Sequence, residues 1–81
     1  MKKIVKSYIY RISNREVTDD EELIYSGILD SFNVLELIDY IEEYFNIQFK
    51  LEELKEISNF SSVNAICSIL NKKINSRSKN E

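Results

Sequence analysis

The residues best placed to do chemistry lie in one short stretch, which runs from Gly27 to Leu37 and contains Asp30 and Ser31. One interpretation of Ser31 is a helix cap, because Ser and Asp side chains accept hydrogen bonds from the free N–H groups of a first helical turn. The other is a hydroxyl that carries a phosphate ester, since a helix N-terminus offers N–H donors and a positive dipole end to an anion. The two roles are compatible, because Asp30 can cap the helix while Ser31 is modified.

The amino-acid composition limits which reactions the chain can perform. It contains no histidine and a single cysteine, Cys67. Zinc sites and His-dependent nucleophilic mechanisms are thereby excluded, and no evident base activates the Ser31 hydroxyl. A lone cysteine forms no internal disulfide, so there is no sign of an oxidising compartment. We therefore expect no catalytic residues and no metal site, and we expect Ser31 to be modified rather than to attack a substrate.

Charge is distributed unevenly along the chain, although the net charge is only −3. Residues 19–56 contain twelve acids and two bases, whereas residues 1–18 and 57–81 are both net positive. An acidic field of this kind attracts basic partners and repels nucleic acid, so no nucleic-acid ligand is expected. The alternative is a set of charges that only solvates exposed helix faces.

Length and residue types predict a single helical domain. The 81 residues suffice for one modest core but not for two. The chain has no proline and one glycine, which favours helices over a loop-rich or all-β architecture. No apolar run approaches the roughly 20 residues that a membrane span requires, and Lys6 and Arg11 interrupt the apolar part of any signal peptide. We expect a cytoplasmic monomer.

Apolar spacing predicts the elements that position this stretch. In chain order they are a first helix over 2–14, a long packed connection over 15–30, a second helix from Ser31 to Tyr44 or Phe45, a short helix over 51–57, a linker over 58–62 and a last helix over 63–74. The residues predicted to face the core are Ile4, Val5, Tyr8, Ile9 and Ile12 on the first helix, Val34, Leu35, Leu37, Ile38, Ile41 and Phe45 on the second, and Val63, Ile66, Cys67, Leu70 and Ile74 on the last.

Local signals add detail between and beyond the helices. Thr18 and Glu21 have the spacing of a capping box, which predicts a single helical turn. Gly27 suits a turn with positive φ, and Asn46 suits a left-handed C-cap. The apolar residues expected to anchor the long connection are Leu23, Ile24, Ile28 and Leu29. Residues 1–74 are predicted to form the domain, and residues 75–81 a polar, disordered tail.

One motif within this order of elements is similar to that of a known family. It consists of Asp30-Ser31-Phe32, of Glu36-Leu37 four positions beyond the phenylalanine, and of Glu42-Glu43-Tyr44-Phe45-Asn46-Ile47 at the helix end, with Asn46 where glycine is usual. From the first helix to about Leu70, the chain resembles acyl carrier proteins. The resemblance implies an all-α fold, an acyl-carrier-protein-like four-helix bundle with three longer helices, one short helix and a long loop after the first.

The resemblance also implies a function. Ser31, in its motif with Asp30, would receive 4′-phosphopantetheine from coenzyme A through a phosphopantetheinyl transferase, and the thiol of that arm would hold an acyl or aminoacyl group as a thioester. Further partners implied are an adenylating ligase or acyltransferase and a downstream acceptor or synthase enzyme. The residues expected to contact partners are Phe32, Leu35, Glu36, Asp39, Glu42 and Glu43.

The subtype rests on residues around the serine. The form Gly27-Ile28-Leu29-Asp30-Ser31-Phe32, with Asn33 next and Asp39 in mid-helix, is more similar to discrete D-alanyl and other aminoacyl or peptidyl carriers. A fatty-acid or specialised-metabolite acyl carrier is the alternative. Two other classes stay open: a small acidic helical protein-interaction domain without a prosthetic group, and a domain regulated by phosphorylation of Ser31.

Overall fold

The computed structural model describes the backbone of residues 1–79 and the side chains of residues 1–76. The elements are α1 Lys2–Ser13, α2 Ser31–Phe45, α3 Leu51–Lys55, a 3-10 helix Ile57–Phe60 and α4 Val63–Lys79. Helix α1 packs against both α2 and α4, and the 3-10 helix packs against α3 and α4. The predicted all-α bundle is therefore confirmed, with four α-helices and no β-strand in the part of the chain that the structure describes. None of those helices is both long and apolar enough to cross a membrane.

Left-handed asparagines end the first two helices. Asn14 follows α1 with a φ of 58° and Asn46 follows α2 with a φ of 54°, and the N–H of Asn14 donates to the carbonyl of Tyr10. Asparagine tolerates this conformation better than most residues that have a Cβ atom. The predicted C-cap at Asn46 is confirmed, and α2 ends at the predicted position, Phe45.

The last helix is longer than the apolar pattern indicates. It continues to Lys79, whereas its predicted end was residue 74 and residues 75–81 were predicted to form a disordered tail. Once a helix has formed, each further residue adds one hydrogen bond, so polar residues can extend it without burying anything. Residues 80 and 81 lie outside the described residues, and the domain limit at residue 74 stays a prediction.

The long connection between α1 and α2 is fastened to its neighbours by backbone hydrogen bonds. The N–H of Leu23 donates to the carbonyl of Ser61 at 2.8 Å, and the N–H of Asn64 donates to the carbonyl of Asp19 at 3.0 Å. Leu23 and Leu29 are fully buried. The predicted packing of this connection on the bundle is therefore confirmed, and it brings the approach to α2 up against the start of α4.

The predicted helical turn at Thr18 is wrong. The Thr18 N–H donates to the Glu21 carboxylate at 3.1 Å, as in a capping box, but the Glu21 N–H returns to the Thr18 carbonyl at 3.3 Å and no helix follows. The backbone makes one hydrogen-bonded turn, and within it the Asp19 carboxylate pairs with Lys2 and Lys6 of α1.

The core is apolar, and no polar or charged side chain is buried among residues 1–76. The buried residues are Val5, Ile9, Val17, Leu23, Leu29, Leu37, Ile38, Ile41, Phe49, Phe60, Val63, Ile66, Cys67, Ile69 and Leu70. Most of the predicted helix faces are found here or packed beside it, and Ile74 is only half-buried.

Two core predictions need correction. Leu35 was placed on the buried face of α2, but its side chain is 62% exposed. At 3.6 residues per turn it lies about 200° around the helix from Leu37, so a core that contains Leu37 excludes it. The other error is the linker over 58–62. Its Phe60 is 1% exposed, within a 3-10 helix, and its ring meets the Phe49 ring edge to face at 5.4 Å.

Candidate attachment site at the start of α2

Asp30 caps α2. Its backbone is extended, with a φ of −88° and a ψ of −179°, and its Oδ1 accepts a hydrogen bond from the Asn33 N–H at 2.8 Å. The Asn33 Oδ1 accepts in turn from the Asp30 N–H at 3.3 Å, which completes a reciprocal capping box. Of the two residues that could cap this helix, the structure uses the aspartate.

Ser31 is the first residue of α2 and is exposed. Because Asp30 occupies the cap, the Ser31 hydroxyl has no hydrogen-bond partner within residues 1–79, and neither do the N–H groups of Ser31 and Phe32. Free N–H groups and the positive end of the helix dipole favour an anion at this point, by about 0.3–1 kcal/mol at an exposed site. A phosphodiester on the Ser31 oxygen therefore fits the residues present.

The loop that precedes α2 is held by a carboxylate. Glu22 accepts hydrogen bonds from the N–H of Ser26 at 2.7 Å and of Ile24 at 3.1 Å. The backbone N–H of Tyr25, followed by those of Ser26 and Ile24, lowers the pKa of Glu22 below its ordinary value. Because the same bonds stabilise the ionised carboxylate and fix the loop, Glu22 helps to set where α2 begins.

The ends of this loop are joined as well. The Leu29 N–H donates to the Leu23 carbonyl at 2.8 Å, and the Gly27 N–H donates to the Ile24 carbonyl at 3.1 Å. Gly27 has a φ of 84°, as predicted, and this conformation suits glycine because it has no Cβ atom. The closed loop leaves Asp30 directly after the buried Leu29, so the cap is positioned by the core.

A groove of about 450 Å³ begins at Ser31. It runs between one face of α2 and the segment that contains α3 and the 3-10 helix. The residues that line it are Ile24, Ser31, Val34, Leu35, Ile38, Asp39, Glu42, Leu54, Ile57 and Phe60. Its walls are mainly apolar, and the two carboxylates lie on α2.

A protein-family model described as the phosphopantetheine attachment site matches residues 2–73. The chain belongs to this family of acyl carrier proteins. Its cofactor is 4′-phosphopantetheine, which such carriers hold covalently, and carrier domains of this kind are generally non-catalytic. The comparisons with curated proteins and with solved structures give no match.

The predicted partner-contact residues of the carrier lie in different surroundings, either inside the groove, outside it on α2, or, for Glu36, beside the capping box. Leu35, Asp39 and Glu42 line the groove with Ser31. Phe32 and Glu43 are exposed on α2 but lie outside the groove, and the Phe32 ring is 65% exposed rather than folded onto the loop.

Glu36 has a more structural position in the carrier. Its carboxylate accepts a hydrogen bond from the Asn33 Nδ2 at 3.1 Å, so it is linked to the capping box through Asn33. Glu42 is held in a similar way, because one of its oxygens accepts from the Phe49 N–H at 2.9 Å.

Sequence reasoning missed the second wall of the groove. Leu54 and Ile57 fall in the short helix predicted over 51–57, and Ile24 is an expected anchor of the connection, but the sequence does not predict that they line one groove. The three-residue spacing of Leu51, Leu54 and Ile57 was the available signal, because all three remain exposed or nearly so in the structure. Apolar residues that a short helix leaves exposed are available to line a groove.

Proposed function

We propose that Ser31 is the residue of this carrier that bears the 4′-phosphopantetheine group. The observation that carries the proposal is that Asp30 makes the cap of α2, while the Ser31 hydroxyl is exposed and has no hydrogen-bond partner among the described residues. The free N–H groups of Ser31 and Phe32 would stabilise the negative phosphodiester. When bound, the group supplies a thiol that holds the cargo as a thioester.

The carrier's own residues then position the arm and present its cargo to other enzymes, and they carry out no catalysis. Without histidine the chain has no general base of the usual kind beside Ser31. Attachment, loading and transfer would therefore be performed by a phosphopantetheinyl transferase, by an adenylating ligase or acyltransferase, and by a downstream acceptor or synthase enzyme. The cytoplasmic location and the monomeric state stay predictions.

The exposed face of α2 would be the surface on which these enzymes dock. Phe32 and Leu35 are large apolar side chains that are mostly exposed and follow Ser31 in the chain. Asp39 and Glu43 provide negative charge on the same helix. Such a surface supports brief complexes that depend on charge and weaken as salt is raised.

The cargo that this carrier would hold is an amino acid, as in a discrete D-alanyl or aminoacyl carrier. The proposal is supported by the motif around Ser31 and by Asp39 and Glu42, which place two carboxylates among the apolar residues that line the groove. A long fatty chain laid there would cover these carboxylates without pairing them. Incubating the phosphopantetheinylated chain, with its thiol free, with candidate ligases and D-alanine, other amino acids or fatty acids tests the choice. Preferential loading with a fatty acid would contradict it.

The attachment site is tested by intact mass. The purified chain is incubated with coenzyme A, magnesium and a broad-specificity phosphopantetheinyl transferase, and its mass should rise by one phosphopantetheine group. Ser31→Ala should show no gain, while Ser68→Ala, which alters an exposed serine in α4, should behave as the wild type. An unmodified wild type would favour the interaction-domain alternative.

A further inference from the structure

We propose that Asp39 binds the free ammonium group of the cargo within the groove beside Ser31, which makes it the residue that determines cargo class. This inference rests on the proposed attachment at Ser31. It commits the groove to one occupant, an acyl group that bears a free ammonium at the end of the tethered arm.

Asp39 lies on the same side of α2 as the attachment residue. Ser31, Leu35, Asp39 and Glu42 are spaced along one side of α2, and all four line the same groove. At a rise of about 1.5 Å per residue, Asp39 lies about 12 Å along the helix from the start of the groove at Ser31. A group tethered to Ser31 therefore enters the groove at one end and meets Asp39 further along.

The carboxylates in the groove are negatively charged and lie apart from the ion pairs of the fold. The ion pairs of the described residues use the carboxylates of Asp19, Glu21 and Glu53. No lysine or arginine of that part of the chain pairs with Asp39 or Glu42. The groove therefore contains two carboxylates that have no counter-ion among the described side chains.

The two carboxylates differ in whether a hydrogen bond holds them in place. One oxygen of Glu42 is engaged by the Phe49 N–H at 2.9 Å, which fixes that side chain against the segment after α2. Asp39 is exposed, and its carboxylate makes no hydrogen bond to the side chains and backbone that the structure describes. Asp39 can therefore turn toward a cation, while Glu42 adds a fixed negative charge nearby.

Apolar side chains line the same groove as these two charges. Val34, Ile38 and Phe60 form apolar walls beside them. A charge pair is stronger next to apolar walls than in open water, because the local dielectric constant is lower. An uncharged alkyl chain in the same place would cover the carboxylates without pairing them, and that is unfavourable. The groove therefore favours an aminoacyl cargo over an alkyl acyl cargo.

The test compares two cargoes that differ by the ammonium group. The transferase attaches amide-linked alanyl and propionyl analogues of phosphopantetheine, which cannot hydrolyse, to the ¹⁵N-labelled chain. Backbone amide shifts are then followed at Leu35, Asp39, Glu42, Leu54 and Ile57. The alanyl form should shift these amides well beyond the propionyl form, and the excess should shrink as salt is raised.

A matched pair of variants isolates Asp39. Asp39→Asn should remove more than half of the alanyl-specific shift, whereas Glu43→Gln, which removes an exposed acid of α2 outside the groove, should retain it. Both side chains are exposed, so both variants are expected to fold.

Equal shifts for alanyl and propionyl cargo on a fully loaded chain, or an alanyl-specific shift that survives in Asp39→Asn, would overturn the inference and leave the attachment at Ser31 intact. Failure of Ser31 to accept either arm would overturn both proposals.

Discussion

The Asp30 carboxylate and the Asn33 side chain exchange hydrogen bonds across the first turn of α2. Oδ1 of Asp30 lies 2.8 Å from the Asn33 nitrogen, and Oδ1 of Asn33 lies 3.3 Å from the Asp30 nitrogen. This pair satisfies the cap without Ser31, which lies between them in the chain. The proposed attachment point therefore lies within a capped first turn, while its own hydroxyl has no hydrogen-bond partner among the described residues.

Loss of the cap should destabilise the fold without removing the attachment serine. Asp30→Ala should lower the free energy of unfolding by about 1 kcal/mol, because the Asn33 N–H loses its acceptor. Denaturant unfolding monitored by circular dichroism measures the change. Asp30→Asn keeps an oxygen acceptor and should lose much less, and equal losses in the two variants would contradict the capping role.

Phe60 should contribute as much to the stability of the core as a buried residue of one of the longer helices. Phe60→Ala should cost about 3–5 kcal/mol, because it removes a buried ring that packs on Phe49 and leaves a cavity. Ile57→Ala, in the same 3-10 helix but at a partly exposed position, should cost much less. Thermal unfolding of the two variants is the measurement, and similar melting temperatures would contradict the assignment of Phe60 to the core.

The loop before α2 should loosen in acid through Glu22. Its folded-state pKa lies below the ordinary value of 4.5 because backbone N–H groups, that of Tyr25 first, stabilise the carboxylate. The contribution is therefore complete above pH 4.5 and is lost as the pH falls through the lower folded pKa.

Glu22→Gln should reduce the acid dependence of stability in that range, as measured by unfolding at a series of pH values. Glu16→Gln, at an exposed position, serves as the control. An unchanged slope in Glu22→Gln would show that the loop does not depend on the charge. Asp19, whose pKa is lowered by Lys6 and Lys2, should account for part of the remaining slope.

The stacked rings of Tyr8 on α1 and Tyr40 on α2 should contribute to the stability of the fold. The Tyr8 and Tyr40 rings lie 3.9 Å apart between centroids, with 11° between their planes. A double-mutant cycle with Tyr8→Leu and Tyr40→Leu should give a coupling energy of about 0.5–1.5 kcal/mol. The pair Tyr10→Leu and Tyr40→Leu is the control, because Tyr10 is exposed. Strict additivity in the first cycle would contradict the contact.

The sequence was sufficient for features that depend on local chemistry. The start of α2 after Asp30, the positive φ of Gly27 and the left-handed Asn46 follow from the preferences of single residues and their immediate neighbours. The family resemblance predicted the helical bundle as a whole, and the family match over residues 2–73 agrees with this prediction.

Features that depend on distant contacts were not predictable in the same way. Phe60 is buried because Phe49 and α4 pack around it, and no periodicity in 58–62 indicates this. The exposure of Leu35 follows from which side of α2 faces α1, which an apolar stripe as wide as that of α2 does not define. The groove combines α2 with a short segment more than ten residues further along, so its second wall appears only after folding.

The most direct test of the central claim is the site of modification on the chain after transfer from coenzyme A. Intact mass followed by fragmentation of the modified peptide should place one phosphopantetheine group on Ser31, and Ser31→Ala should remain unmodified under the same conditions. A modified Ser31→Ala chain, or a folded wild type that accepts no group, would contradict the assignment of Ser31 as the attachment residue.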